Sequence, residues 1–230
     1  MAKEIPQPQC ASCPYDWSER YCRQSGGKGP KNCPSLHHRD LAAKTLEILK
    51  DPQVFEFARQ ASIQEGEGYA GGEKGYGALH PVKPRIQEVV EFCHKMKYKN
   101  LSLVFCVGVR FEAKVVQQIL ETNGLNVVSV MCKAGRIGKE EIGLIDEQKV
   151  VPGGFESMCN PILQALIANY HQVDFNVLLG LCVGHDSLFL KYAEAFSTVL
   201  AVKDRLLGHN PMAAIYNYDH YYRTLKNPIE

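Results

Sequence analysis

Apolar residues in the second half of the chain fall into two kinds of run. Continuous apolar stretches of strand length occupy 101–106, 126–131, 174–181 and 197–202. Between them lie segments with apolar residues three and four apart, at 111–122, 156–169 and 186–195. The first kind predicts buried strands and the second predicts amphipathic helices. Strict alternation of the two implies a parallel sheet joined by right-handed crossovers. Upstream, Leu41, Thr45, Ile48 and Leu49 share one face of a helix over 40–49. Asp51 and Pro52 then end it and open a second helix, running from Val54 to about Glu65, because Asp caps and Pro suits the first turn. That helix presents Val54, Phe55, Ala58, Ala61 and Ser62. A third helix over 85–97 presents Ile86, Val89, Val90, Cys93 and Met96. The tail, 204–222, is expected to be helical after His209-Asn210-Pro211.

The first 36 residues have a different pattern. Pro, Gly, Cys and charge dominate, with little apolar periodicity. Between the second and third helices, six glycines from Gly66 to Gly77 predict a flexible surface loop, a candidate lid. The expected organisation is a cysteine-rich metal module (1–36), a helical segment with the Gly-rich loop (37–98), and an α/β domain (99–230). That last domain is an open, mostly parallel sheet of about four strands with flanking helices, Rossmann-like or flavodoxin-like in kind.

Composition narrows the function classes. Of 230 residues, 45% are hydrophobic and 22% charged, which is enough to build a core. A formal net charge of +1 gives no reason to expect nucleic acid or a membrane surface as partner. The longest apolar runs are strand-sized and no apolar signal region opens the chain, so a cytoplasmic protein is expected. Nine cysteines are many for such a chain. In a reducing compartment, clustered thiols more often hold metal or do chemistry than form disulfides.

Four of the nine, Cys10, Cys13, Cys22 and Cys33, follow a C-x2-C-x8-C-x10-C spacing in a segment that cannot build a core. A C-x2-C turn aims two thiolates at one ion, and sulfur ligation suits zinc and an iron–sulfur cluster equally. Four others fall where the alternation converges. Cys106, Cys132 and Cys182 each end a strand, and Cys159 is placed in the first turns of the helix over 156–169, returning to the same edge. In an open parallel sheet that edge is where ligands bind. Neighbouring strands are about 4.8 Å apart, so their thiolates can share one site. The expected occupant is an iron–sulfur cluster of the 4Fe-4S kind, on Cys132, Cys159 and Cys182, with Cys106 as fourth ligand or neighbour. A dithiol redox pair or unconnected core thiols are the competing readings. Cys93, on the apolar face of its helix, is expected to be structural.

Polar residues gather at the same edge. Arg110, Lys133, Arg136, Lys203, Arg205, His209 and Asn210 form a cationic surround for a cluster or a small anionic ligand. His185 and Asp186 open the helix after Cys182 and are the candidates for proton transfer; Asp186 also suits a helix cap. A redox partner and a homodimer are further associations this pattern admits.

The stretches Phe105-Cys-Val-Gly108, Met131-Cys-Lys-Ala-Gly-Arg-Ile-Gly-Lys-Glu140, Met158-Cys-Asn-Pro161, Gly180-Leu-Cys-Val-Gly-His-Asp186, Lys203-Asp-Arg205 and Gly208-His-Asn-Pro211 together resemble an uncharacterised domain-of-unknown-function family. Its members are described as predicted metal-binding proteins of archaea and anaerobic bacteria. The resemblance spans nearly the whole chain. It implies metal binding and an anaerobic host, and it brings no established reaction.

Overall fold

A computed structural model describes residues 7–229. The chain divides into two compact units, one ending at Ile63 and the other beginning at Gln64.

The first unit opens with short turns: a 3-10 turn at Cys10–Ser12, another at Trp17–Glu19, and a bridge between Arg20 and Lys28. Three helices follow, α1 (Pro34–His37), α2 (Arg39–Ile48) and α3 (Pro52–Glu67), the last carrying the chain into the second unit. Asp51 caps α3 as its sequence predicts, its Oδ1 accepting from the amides of Gln53 (2.8 Å) and Val54 (3.1 Å). The apolar faces expected to be core are not. Leu41, Ile48 and Phe55 are each more than half exposed, and no residue from 7 to 63 is buried. Periodicity identified these helices correctly, but among the described residues of this unit their apolar sides form no buried core.

In the second unit the Gly-rich stretch is not a free lid. It folds into a two-stranded antiparallel ladder, β1 (Tyr69–Ala70) with β2 (His80–Pro81), around two 3-10 turns. Helix α4 (Arg85–Lys95) then buries Val89, Val90, Phe92 and Cys93. The α/β portion runs β3 (Asn100–Phe105), α5 (Arg110–Thr122), β4 (Asn126–Met131), α6 (Pro161–Tyr170), β5 (Phe175–Leu181), α7 (His185–Tyr192), β6 (Ser197–Val202). All three strand pairings are parallel, in the order β4-β3-β5-β6. The order reverses between β3 and β5, which makes their carboxyl ends the switch point.

Burial follows the two-residue alternation of strands. Val104, Val130 and Leu178 pack with Ala165 of α6 and Phe189 of α7. Their neighbours Leu103, Val177 and Leu179 point to the opposite face and are equally buried. Right-handed crossovers place α5 on that second face. Two predicted helices change. α6 begins at Pro161, with Asn160 as cap accepting from Leu163 N–H, so Cys159 precedes the helix and does not lie in its first turns. The tail is mostly turns, with one short helix, α8 (Met212–Tyr216). Among the described residues no helix is long and apolar enough to cross a membrane.

A buried polar network fixes the register. Ser102 on β3 and Asn176 on β5 stand opposite each other, and both are fully buried. The Ser102 hydroxyl donates to Asn176 Oδ1, and Asn176 Nδ2 donates to the Ala195 carbonyl (2.9 Å) and Ser197 Oγ (3.2 Å). Every polar group finds a partner only at this register. Asn176→Ala would leave the buried Ser102 hydroxyl unpaired and take from the Ala195 carbonyl one of its two donors, leaving it the Ser197 hydroxyl, and should lower the unfolding free energy by about 2–3 kcal/mol. Urea unfolding midpoints of this variant against Ser102→Ala, which removes only one donor and should cost less, check it.

Candidate functional site

The parallel backbone ladder continues one step beyond the strands and delivers the cysteines. Cys106 N–H donates to the Leu179 carbonyl (3.1 Å), Cys132 N–H to Phe105 (2.8 Å) and Asn160 N–H to Cys132 (2.7 Å). Cys106 and Cys132 therefore stand side by side, 8% and 2% exposed. The last of these bonds draws residues 159–160 back from the long loop after β4, which brings Cys159 against Cys132. Cys132 is in hydrogen-bonding contact with both Cys106 and Cys159.

Cys182 sits apart for a geometric reason. Phe105 pairs with Leu179, so the level of Cys106 on β5 is Gly180, and Cys182 is two residues further out. In a regular strand, at about 3.3 Å per residue, that would be an overhang of roughly 6–7 Å, which the bulge at Gly180 shortens. Its sulfur is met there by the Arg205 guanidinium, Nη2 to Sγ at 3.1 Å. The Cys182 carbonyl accepts from the amides of His185 and Asp186, the first residues of α7.

The thiols differ sharply in proton affinity. Contact with the Cys132 thiol, then the Gly108 amide and the Lys203 ammonium, pulls Cys106 down to about 4 against the cost of burial. The same Cys132 contact, helped by Lys133 and His185, brings Cys159 to about 6. Cys132, which serves both neighbours and is buried, is pushed up, although the Val107 amide donates to its sulfur at 3.3 Å. Cys182 is raised by burial and by the charge of Cys106, against Arg205. These contacts favour the thiolate at Cys106 and Cys159 and the thiol at Cys132. Cys93, away from this edge on α4, is raised to about 12 by burial and is structural, as its helix face predicts.

Two glycines admit Lys203. An ideal Cβ on Gly108 would lie 3.2 Å from Lys203 Nζ, and one on Gly180 would lie 3.7 Å from it and 2.9 Å from a Val109 methyl. Gly180 also has φ +65°, where the β5–β6 register shifts. The loop after β6 sets the direction of Lys203 and Arg205. Asp204 Oδ1 accepts from the amides of Leu206 (3.1 Å) and Leu207 (2.8 Å), and Asp204 N–H donates to His209 Nδ1 (3.2 Å). His209 holds the left-handed φ of +66° that closes this loop. His209 and Asn210 both bond within this loop, the His209 amide donating to the Asp204 carbonyl (2.8 Å) and the Asn210 amide to the Leu207 carbonyl (3.1 Å).

Other expected residues fall elsewhere. Lys133 donates to the Ser157 carbonyl and lies within electrostatic reach of Cys159. Arg136 lies over Phe155 at 5.4 Å. Arg110 lies over Phe111 at 4.3 Å and lines a separate cleft of about 340 Å³ with Phe105, Lys114 and Gln117. The Asp186 carboxylate accepts from the Ser187 amide (2.8 Å), a helix-start role. Cys10, Cys13, Cys22 and Cys33 all line one cavity in the first unit. Among the described residues no group of three or more His, Cys, Asp or Glu side chains that could hold a metal ion is preformed.

The sequence reading missed Gln164, which is fully buried on α6. Its Nε2 donates to the carbonyls of Val130 (2.6 Å) and Phe105 (3.3 Å), the last turns of backbone beneath the paired cysteines. Its signal was present: it is the one polar side chain between Pro161 and Ala168.

Because Cys159 is depressed from an ordinary thiol value of 9.0, its thiolate predominates above about pH 6 and is lost as the pH falls through that value. In the metal-free chain, alkylation of Cys159 should rise through about pH 6, while Cys182 responds only at higher pH and Cys93 stays unmodified until unfolding. Peptide mass spectrometry across a pH series reads each rate separately.

The uncharacterized protein MJ0455 of Methanocaldococcus jannaschii is 38% identical over 178 residues, covering 77% of this chain and 84% of that protein. No solved structure matches the chain. Residues 33–200 match the family described as "Protein of unknown function (DUF1847)", a span that takes in the whole parallel sheet but for its last two residues and all four edge cysteines, and the chain belongs to that family.

Proposed function

We propose that the sheet edge is a thiolate-held metal centre carrying an iron–sulfur cluster, with Cys106, Cys132, Cys159 and Cys182 as its donors. The observation that carries this reading is the placing of four cysteines from four separate segments along the switch-point edge of the sheet, with Lys203 beside Cys106 and Arg205 on Cys182. An all-sulfur donor set is what such clusters take. Lys203 and Arg205 offset the negative charge of a metal–thiolate group, and the Val107 and Gly108 amides supply the N–H···S bonds that tune it. Cys132 neighbours both Cys106 and Cys159, and Cys182 would complete the set by exchanging Arg205 for the metal. Cys182 would be the outermost donor: with all four thiolates bound every iron is saturated, and with Cys182 left off one iron would be open to a small anionic ligand.

A second reading rests on the contact of Cys132 with Cys106 and Cys159. Two adjacent thiols of this trio could lose two protons and two electrons to a disulfide acceptor and form a reversible disulfide without metal.

Protein purified without oxygen should be coloured and hold iron and sulfide in equal amounts. Cys132→Ala and Cys182→Ala should lose the iron and sulfide of one cluster, with the matching share of the visible absorption. A colourless protein without iron, whose edge thiols oxidise reversibly in pairs, would replace the first reading with the second. In the cluster-bearing protein, Lys203→Met removes a positive charge beside Cys106 and should shift the reduction potential to more negative values, measured by redox titration of the visible band.

A further inference from the structure

The amino-terminal cysteines lie outside the sheet-edge site and, except for Cys33, outside the residues that match the family. Their surroundings pose a physical problem. No side chain from residue 7 to residue 63 is buried, and Trp17, Leu41, Leu46, Ile48 and Phe55 are all substantially exposed. A unit of this size without a core cannot offset its conformational entropy by burying apolar surface. Yet the segment has a definite path. Tyr21 N–H donates to the Lys28 carbonyl (2.8 Å) and Lys28 N–H to the Glu19 carbonyl (2.7 Å), which closes the loop beyond Cys22. Asn32 Nδ2 donates to the Gln7 carbonyl (3.1 Å), which ties the Cys33 turn to the start of the Cys10 turn.

These bonds bring four thiols from three turns around one cavity of about 40 Å³. Cys10 and Cys13 bracket a 3-10 turn, the Cys13 amide donating to the Cys10 carbonyl (3.3 Å). Cys33 is the residue before α1, with Pro34 behind it. Gly29 lies against it, and a Cβ there would come within 3.0 Å of the Cys33 sulfur. Arg20 and Lys28 line the same cavity, as suits the net negative charge of four thiolates around a metal.

We infer that Cys10, Cys13, Cys22 and Cys33 close on a second metal centre, held by four thiolates, that serves as the core of the amino-terminal unit. Binding releases the thiol protons, and its free energy becomes the folding free energy of this segment. The role is structural: all four donor positions belong to the protein, as in closed zinc and iron–sulfur sites. The inference is independent of the sheet-edge reading.

Trp17 makes it testable, because it is the only tryptophan of the chain and lies between Cys13 and Cys22. Zinc, iron and sulfide are measured on the full chain prepared without oxygen, with Cys13→Ser/Cys33→Ser and Cys132→Ala/Cys182→Ala compared. The expected result is loss of one zinc, or of one iron–sulfur cluster, from the first variant, with that centre retained in the second. On the unsubstituted chain, chelation should change the Trp17 emission and speed tryptic cleavage at Arg23, Lys28 and Lys31 by about tenfold or more. Readdition of zinc, or of iron with sulfide, should reverse both, and the metal that does so identifies the centre. Metal content unaltered by Cys13→Ser/Cys33→Ser, or emission and cleavage indifferent to chelation and readdition, overturns the inference. The proteolysis arm needs no variant, so misfolding of a substituted chain cannot hide the answer.

Discussion

The parallel register of β3 against β4 and β5 is the constraint from which the rest of the edge follows. It places Phe105 opposite both Met131 and Leu179, so Cys106 and Cys132 leave the sheet at one level. Side chains alternate faces along a strand, and a slip of one residue would send either sulfur to the other side. The Ser102–Asn176 pair in the middle of the sheet and Gln164 beneath its edge both resist that slip, the first by side-chain pairing across strands and the second by binding two strand-end carbonyls. Polar groups buried at these points contribute specificity of alignment more than net stability, since an apolar substitute would pack as well but tolerate other registers.

The charges obey the same geometry. Lys203 enters where Gly108 and Gly180 leave room, and Arg205 lies against the sulfur that overhangs the others. Both sit on a loop held by the Asp204 carboxylate and His209. The result is an edge whose sulfurs are unequal: two favour the thiolate, one keeps its proton and one is held by a guanidinium. Unequal donors are a property of the pattern of contacts, since each cysteine begins with the same chemistry.

Most of the fold was legible in the sequence because buried parallel strands read as continuous apolar runs and their helices keep a clear period. The bounds of β4 and β6 follow directly from those runs. Convergence of Cys106, Cys132 and Cys182 was legible too, since strand ends in such a sheet share an edge. What failed depended on contacts between distant residues. The start of α6 was misplaced because Asn160 is a better cap than Glu156 once Pro161 fixes the first turn. The overhang of Cys182 needs the pairing of Phe105 with Leu179, which no local pattern states. The exposed faces of α2 and α3 look like core faces in the sequence, because periodicity reports amphipathicity and not what lies against it.

The strand order also bears on how the edge comes into being during synthesis. β3 and β4 are made first and neighbour each other, so Cys106 and Cys132 can meet while the opposite side of β3 is still bare. Cys159 arrives with the next segment, Cys182 only after β5 has docked on that bare side, and Arg205 last of all. The two buried sulfurs are thus made before the two partly exposed ones. A ribosome-bound chain holds an incomplete edge until β6 is in place, so the four cysteines share a complete edge only after the last strand of the sheet has docked.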